Sequence, residues 1–127
     1  MERDAVVGWV AAYEQAWRDA DPDAVETLFS PDATYRVSPY AEPLVGHHAI
    51  KDFWLDDEGT SFTVDHAVIT VDADRAVVRL EVQYGEPTNQ QYRDLWLLRF
   101  ADDGRVAEFE EWAYWPDKSH AAPADDA

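Results

Sequence analysis

The sequence predicts an α+β domain in which three helices precede a curved antiparallel sheet. Apolar side chains recur at helical spacing in the first half of the chain, and from Ser61 onward they alternate with polar ones at the period of two that strands show. The connections between the predicted strands are short and rich in Asp, Gly and Pro, which is typical of an antiparallel meander. Helices followed by such a meander usually pack on one face of the sheet.

The composition is that of an acidic globular chain. Its 127 residues include 27 acidic and 10 basic ones, for a formal net charge of −17, and 46% of them are hydrophobic. A surface of this charge repels phosphate backbones and anionic lipids, which disfavours nucleic acid and membranes as partners. We expect residues 1–118 to form one domain and residues 119–127 to be a flexible acidic tail.

Several kinds of site are excluded by what the sequence lacks. It has no cysteine, so disulfides, thiol catalysis and zinc–thiolate sites are ruled out. It has no phosphate-binding loop and no serine nucleophile motif, and the neighbours His47 and His48 diverge by about 100° on a helix, too far to grip one metal. We therefore expect no cofactor and no metal. The N-terminus lacks a signal-peptide layout, which predicts a cytoplasmic protein.

The first helix is predicted from Arg3 to Asp19. Its apolar positions recur at i, i+4, i+7 and i+11 and form a wide aromatic stripe, Val6, Val10, Tyr13 and Trp17. Asp21-Pro22-Asp23 then supplies an N-cap and a first-turn proline for a short second helix that ends near Phe29.

A third helix begins at Gly46 and turns Ile50, Phe53 and Trp54 inward. Five strands are predicted around these helices, at residues 33–37, 62–71, 75–84, 90–100 and 105–115. The last of them follows an Asp-Gly turn and ends at Pro116.

The order and spacing of these pieces resemble the nuclear transport factor 2-like superfamily and, within it, the SnoaL-like group. The resemblance covers residues 3–116 and includes Leu-Phe-Ser-Pro-Asp-Ala at 28–33, Gly-His-His-Ala-Ile at 46–50 and the final Asp-Gly-Arg-Val strand. It implies a cone-shaped fold around a deep apolar pocket that the first helix closes, and a homodimer formed through the outer face of the sheet. Relatives include polyketide cyclases, ketosteroid isomerases and limonene-epoxide hydrolases.

The resemblance to limonene-epoxide hydrolases implies a catalytic set. Glu111 matches a catalytic Asp of those enzymes, and Arg79-Leu80-Glu81 is similar to their Arg-x-Asp element. Tyr35 matches a tyrosine of that site, where Val37 replaces the companion Asn. Strand alternation alone instead puts Arg79 and Glu81 on the outer or dimer face as a cross-strand ion pair, because the apolar residues around them occupy the other face.

Asp94 is a further acid/base candidate. It shares a strand face with Tyr92 and Trp96, and an acid within a row of rings is a better cavity candidate than one in a polar row. An edge position near the strand start is the alternative. Alternation also leaves open whether Glu111 or its neighbour Trp112 faces the core.

Seven side chains are predicted to line the pocket: Tyr13, Trp17, Tyr35, Trp54, His66, Trp96 and Trp112. For each ring the alternative is an ordinary place in the core, and for His66 it is a structural hydrogen bond rather than the role of a base.

Three hypotheses about function follow. The chain is a cofactor-independent isomerase, cyclase, dehydratase or hydrolase that uses pocket carboxylates on a small apolar or aromatic molecule. Alternatively, it binds such a molecule without chemistry, or it serves as an oligomerisation domain. The direction in which the carboxylates point separates these hypotheses.

Overall fold

The computed structural model describes residues 2–19, 21–55, 62–84 and 90–114, except for the side chains of residues 54, 55, 62, 84 and 90. The predicted acidic tail, the end of the last predicted strand and the side chain of Trp54 lie outside the described residues. The bounds of the domain therefore stay a prediction.

The first helix, α1 (Arg3–Asp19), has the bounds that its apolar periodicity predicts. Its buried face consists of Val6, Trp9, Val10, Tyr13 and Ala16. None of the described helices has the length and the apolarity needed to cross a membrane.

The predicted second helix is a single 3₁₀ turn, Pro22–Ala24, followed by α2 (Val25–Leu28). Asp21 caps it, because its side chain accepts a hydrogen bond from the Asp23 amide at 3.1 Å. The third helix, α3 (Gly46–Leu55), begins at the predicted glycine and is tied to α2 by an ion pair between Lys51 and Glu26.

The described strands are β1 (Phe29–Arg36), β2 (Leu44–Val45), β3 (Phe62–Asp72), β4 (Arg75–Tyr84), β5 (Gln90–Phe100) and β6 (Val106–Tyr114). The last four strands were predicted correctly, since each of their described ends lies within one residue of the predicted one. The first strand begins four residues earlier than predicted, and β2 was not predicted, since two residues are too few to show a period.

The six described strands form one curved sheet in the order β2-β1-β6-β5-β4-β3. Strands β3 to β6 pair antiparallel in sequence order, as predicted. The predicted fold class is confirmed, with one difference: the sheet is mixed rather than antiparallel throughout, because β1 pairs parallel with β6. Parallel partners require a long connection, and helix α3 and the β3–β5 meander lie between these two strands in the chain.

The inner face of the sheet is the one that α1 covers. On β4 it carries Val78, Leu80 and Val82, which are fully buried. The ring of Trp9 in α1 packs edge-to-face on three rings of the sheet, those of Phe29, Trp96 and Phe100. Its indole N–H donates to the Leu28 carbonyl at 2.9 Å, which fixes α1 against the end of α2.

Gly104 shapes the turn between β5 and β6. It has a φ of +89°, a conformation that disfavours any side chain with a Cβ, and the Asp103 side chain accepts a hydrogen bond from the Arg105 amide at 3.0 Å in the same turn. This turn sets the register that brings Glu111 of β6 beside Asp94 of β5.

Candidate functional site

Two acids that the sequence nominated separately come together on the inner face of the sheet. In the β5–β6 pairing, Asp94 lies opposite Ala113 and Trp96 lies opposite Glu111, so that the two acids are diagonal neighbours on one face. Diagonal partners are farther apart than direct ones, yet long side chains bridge the gap. The length of the glutamate lets its carboxyl reach Asp94, and a hydrogen bond links the two groups.

Asp94 is the one charged or polar residue in the buried set of the described residues, with 3% of its surface exposed. Burial, the hydrogen bond to Glu111 and the negative charge of Glu111 raise the pKa of Asp94 to about 11. A hydrogen bond that the Trp96 indole N–H donates to the Asp94 carboxyl acts in the opposite direction and lowers the pKa. Asp94 therefore keeps its proton at neutral pH and serves as a hydrogen-bond donor.

A pair of tyrosines adjoins the two acids. The hydroxyls of Tyr13 on α1 and Tyr35 on β1 lie 2.7 Å apart and are buried. Burial, then the neighbouring Tyr35 and Glu111, raise the pKa of Tyr13 well above its usual value. The Tyr13 hydroxyl consequently stays protonated, as the Asp94 carboxyl does, and both lie beside Glu111.

Phe109 connects the tyrosines to the acids. Its ring stacks on Tyr35 with centroids 4.4 Å apart and on Tyr13 at 5.8 Å, and it lies two residues before Glu111 on the same strand face. Trp96 closes the group, with its ring centroid 4.6 Å from that of Tyr13. The rings fill this part of the interior, while Glu111, Trp17 and Tyr92 are only partly buried and mark the side that is closer to solvent.

The structure separates Arg79 and Glu81 from this group. Both are exposed on the outer face, since the residues that alternate with them on β4 form the core. The predicted catalytic element Arg79-Leu80-Glu81 is thus corrected. The outer-face alternative holds, but Glu81 pairs with its cross-strand partner Arg93 at 3.4 Å rather than with Arg79.

Trp112 also leaves the predicted pocket set. It follows Glu111 on β6 and therefore points to the outer face, where its indole N–H donates to Glu110 Oε2 at 2.6 Å. Glu110 in turn lies 3.7 Å from the Arg36 guanidinium of the adjacent strand. Successive strand residues point to opposite faces, so Glu111 and Trp112 lie on different faces of the sheet.

The remaining predicted pocket residues divide as follows. Tyr13, Tyr35 and Trp96 belong to the group around the acids, and Trp17 packs edge-to-face on Tyr13 at 6.4 Å. His66 lies on β3 opposite Leu80, and its Nδ1 is 3.9 Å from Glu14 of α1. That position is a contact between helix and sheet and favours the structural alternative for this histidine.

Two residues near the acids were not nominated from the sequence. Tyr92 precedes Asp94 by two positions and adds to the rise in the pKa of Tyr13, and Phe109 is the central ring. Period-two alternation from Asp94 and Glu111 points to both.

A cleft of about 290 Å³ lies beside Tyr92, where β4, β5 and β6 run together. It is lined by Glu81, Val82, Gln83, Gln91, Tyr92, Arg93 and Tyr114.

The described residues contain no group of three or more His, Cys, Asp or Glu side chains that could hold a metal ion. The deep apolar pocket that the family resemblance implies remains a prediction. The groups of this site that can take part in acid/base chemistry are the carboxyls of Asp94 and Glu111 and the hydroxyls of Tyr13 and Tyr35.

Comparison with solved structures places this arrangement in a known fold. A protein described as NTF-2 like and of unknown function, from Burkholderia xenovorans LB400, has a TM-score of 0.73 at 17% identity, covering 98% of this chain and 91% of that one. A steroid delta-isomerase from Pseudomonas aeruginosa has a TM-score of 0.66 at 20% identity, with 90% and 82% covered.

An LEH-like epoxide hydrolase from M. tuberculosis is similar to the same degree, with a TM-score of 0.66 at 15% identity, and 87% of this chain and 84% of that one covered. A search of curated proteins gave no significant match. The family model described as the SnoaL-like domain matches residues 10–109. The chain therefore belongs to the SnoaL-like domain family and has the nuclear transport factor 2-like fold.

Proposed function

We propose that this chain is a cofactor-independent acid/base enzyme whose reacting groups are Asp94 and Glu111. The single observation that supports the proposal is the hydrogen-bonded pair of carboxyls on the inner face, one of them almost fully buried. Isomerisation, cyclisation, dehydration and hydrolysis all need one group that removes a proton and another that supplies one. Two carboxyls whose environments differ divide these roles.

In this proposal Glu111 is the base and Asp94 the acid. Glu111 is partly exposed at the border of the packed rings, where a substrate can reach it. Asp94 has a pKa of about 11 and therefore holds a proton that it can donate to an oxygen on which negative charge develops. The hydroxyls of Tyr13 and Tyr35 lie in the same group and supply a further donor.

The substrate in this proposal is small, mainly apolar and not anionic. The rings of Trp17, Tyr92 and Trp96 surround the acids with apolar surface. A net charge of −17 repels anions at long range. Among the described residues, no Arg or Lys contributes to the pKa of Asp94. The acid pair therefore has no neighbouring cation that would bind a substrate carboxylate or phosphate.

The test begins with a thermal-shift screen of small ketones, epoxides and aromatic alcohols, since a bound ligand raises Tm by mass action. Hits are then assayed for turnover. We expect Glu111→Gln to lower kcat by about 10²- to 10⁴-fold, which is the usual contribution of a positioned acid or base. Glu110→Gln, one residue away on the outer face, is the matched control and should keep full turnover.

The alternative of a binding module without chemistry has an observation of its own in its favour. The rings of Tyr13, Tyr35, Trp96 and Phe109 already fill much of the described interior, as a structural core does. A ligand that binds with unchanged affinity to Glu111→Gln, and that neither variant nor wild type converts, supports this alternative and removes Glu111 from a catalytic role.

We also propose that the chain forms a homodimer through the outer face of the sheet. Leu95 and Leu97 are more than a third exposed there, beside the partly buried Trp112. The paired strand residues of this face carry five arginines and five acids, and the exposed Asp32 of β1 adds one acid, although the chain as a whole carries −17. The paired residues are Arg36, Arg75, Arg79, Arg93, Arg99, Asp65, Asp72, Glu81, Glu108 and Glu110. Two copies can therefore approach on this face with little mutual repulsion.

The dimer is tested by sedimentation velocity on Leu95→Glu. A charge at the centre of an apolar interface should shift the protein to monomer, since its burial without a partner is costly. Val7→Glu is the control, because Val7 is similarly exposed on α1, away from the outer face. A wild-type protein that sediments as a monomer at all concentrations would refute the dimer.

A further inference from the structure

The outer face of the sheet carries a cleft of about 290 Å³ that the acid/base proposal does not use. Five of its seven lining residues belong to the outer face by strand alternation: Glu81, Gln83, Gln91, Arg93 and Tyr114. The other two, Val82 and Tyr92, lie between these residues on β4 and β5. The cleft is therefore on the opposite side of the sheet from the carboxyls of Asp94 and Glu111.

The polar side chains of the cleft form two pairs across β4 and β5. Glu81 and Arg93 are register partners, and their side chains form an ion pair at 3.4 Å. In the next outer-face pair, Gln83 lies opposite Gln91, and both residues are exposed. The cleft thus offers one carboxylate, one guanidinium and two primary amides, which together have several donors and several acceptors.

Tyr114 adds an aromatic ring to these groups. It is the register partner of Arg93 on β6, and 40% of its surface is exposed. A half-exposed ring gives one side of the cleft an apolar surface with a hydroxyl at its tip. Polar and apolar contacts are consequently available to the same small ligand.

The charges and the amides restrict the chemistry of that ligand. An anion meets the long-range repulsion of a chain that carries −17, and a cation finds the carboxylate of Glu81 already paired with Arg93. A purely apolar ligand would remove water from the ion pair and from both amides without replacing the lost hydrogen bonds. The ligand that fits is neutral and rich in groups that both donate and accept, and a hydroxyl is such a group.

We propose that this cleft binds a neutral sugar as a single pyranose ring. Adjacent hydroxyls of the sugar accept from the guanidinium and the amide N–H groups, and they donate to the carboxylate and the amide oxygens. The C–H groups on one face of the pyranose pack on the ring of Tyr114. The volume of the cleft is just below the range of pockets for drug-sized ligands, which suits one ring rather than a long chain.

The cleft and the proposed dimer contact occupy different cross-strand rows of the outer face. The rows of the cleft contain Gln91 and Arg93, whereas the dimer contact is centred on Leu95 and Leu97, farther along β5. The sugar site therefore needs neither the dimer nor the acid/base chemistry of the inner face. Turnover in Glu111→Gln decides the proposed function and leaves this inference untouched.

The first experiment titrates isotope-labelled protein with the methyl glycosides of glucose, galactose and mannose and follows the NMR spectrum. At least one glycoside should shift the backbone amide signals of residues 81–83 and 91–93 and the side-chain amide signals of Gln83 and Gln91. Absence of these shifts for all three at about 100 mM, where a millimolar Kd would be visible, overturns the inference. Shifts confined to the inner face around Asp94 also overturn it, because the sugar then binds elsewhere.

The second experiment removes the proposed contacts one at a time. Gln83→Leu keeps the size of the side chain without its amide, and Tyr114→Ala removes the ring; each should weaken binding of the best glycoside by about tenfold. Gln15→Leu and Tyr40→Ala are the matched controls, because both residues are exposed outside the cleft, and they should leave Kd unchanged. An unchanged Kd in both cleft variants overturns the inference.

The third experiment tests the class of ligand. Glucuronate, glucosamine and cyclohexanol replace the neutral glycoside with an anion, a cation and a ring that has a single hydroxyl. Each should bind at least about tenfold more weakly than the best glycoside, since each loses the match to a neutral set of donors and acceptors. Tighter binding of cyclohexanol, or of either charged sugar, would show that the cleft selects for another chemistry and would overturn the inference.

Discussion

The two faces of strands β5 and β6 carry acids in very different surroundings. On the outer face, Glu81, Glu108 and Glu110 each have an arginine within 4 Å and remain 31% to 52% exposed. On the inner face, Asp94 lies among rings, and its nearest ionisable neighbour is another carboxyl. Acidic side chains thus form surface ion pairs on one face and a hydrogen-bonded pair of carboxyls on the other, because α1 covers only the inner face.

The largest effect is expected from the ring that joins the inner-face groups. Phe109→Ala should lower the free energy of unfolding by about 3–5 kcal/mol, because it removes a buried ring that stacks on two tyrosines. Leu95→Ala, on the outer face and 38% exposed, should cost about 1 kcal/mol or less. Chemical denaturation of both variants measures the difference. Equal losses would mean that the two faces are equally buried in solution, as in a tight dimer.

The next effect is a pH dependence that belongs to the inner face. Asp94 has a folded pKa of about 11, far above the 3.8 of an unperturbed Asp, so the folded state binds the extra proton between these two values. Stability from this group is therefore fully present below about pH 4 and is lost as the pH rises, by up to about 1.4 kcal/mol per pH unit.

Asp94→Asn removes this dependence, since an amide has no proton to lose and can still donate to Glu111. The variant should gain stability relative to wild type as the pH is raised from 5 to 8, measured by urea denaturation at each pH. Glu81→Gln on the outer face is the control and should leave the slope unchanged. A slope that is the same in wild type and in Asp94→Asn would contradict a raised pKa at position 94.

A smaller effect is expected from the tyrosine pair. Tyr13→Phe and Tyr35→Phe each delete one hydroxyl of a buried hydrogen bond of 2.7 Å. A double-mutant cycle in thermal or urea unfolding should give a coupling energy of about 1 kcal/mol. A coupling near zero would show that the two hydroxyls do not bond to one another in solution.

The smallest effect belongs to the ion pairs of the outer face. A double-mutant cycle on Arg99→Ala and Glu108→Ala, whose side chains are 2.8 Å apart, should give about 0.2–1 kcal/mol, because both side chains are partly in water. The coupling should decrease when the salt concentration is raised to 1 M, whereas the coupling of the tyrosine pair should not. A salt-independent coupling at Arg99 would indicate that this face is buried in an assembly.

Much of the fold was readable in the sequence because its patterns are local. The bounds of α1 follow from its apolar stripe, and the ends of β4 and β5 follow from alternation and turn residues. The face shared by Asp94 and Trp96 follows from the period of two alone. The parallel pairing of β1 with β6 did not, since partners so distant in sequence leave no local pattern.

The candidate site was predicted in part for the same reason. Asp94 and Glu111 were both predicted as site residues. Alternation along a strand shows which side chains share a face, but it does not show which of the two faces is buried. The family resemblance pointed to Arg79 and Glu81, and the burial of Leu80 between them overrules it. Trp112 was predicted to be one of the rings that line the pocket, although its position next to Glu111 turns it outward.

The sequence by itself determined an acidic α+β chain with three helical segments and a four-strand meander, and its membership of the SnoaL-like family. Apolar stripes of helices, alternation in strands and turn residues are all patterns among residues that are close together in the sequence. Only the tertiary structure decided which face of the meander α1 covers, and which register brings Glu111 opposite Trp96 and within reach of Asp94. Those choices depend on the summed packing of rings from α1, β1, β5 and β6, and the chemistry of the two carboxyls is a consequence of that packing rather than of either residue alone.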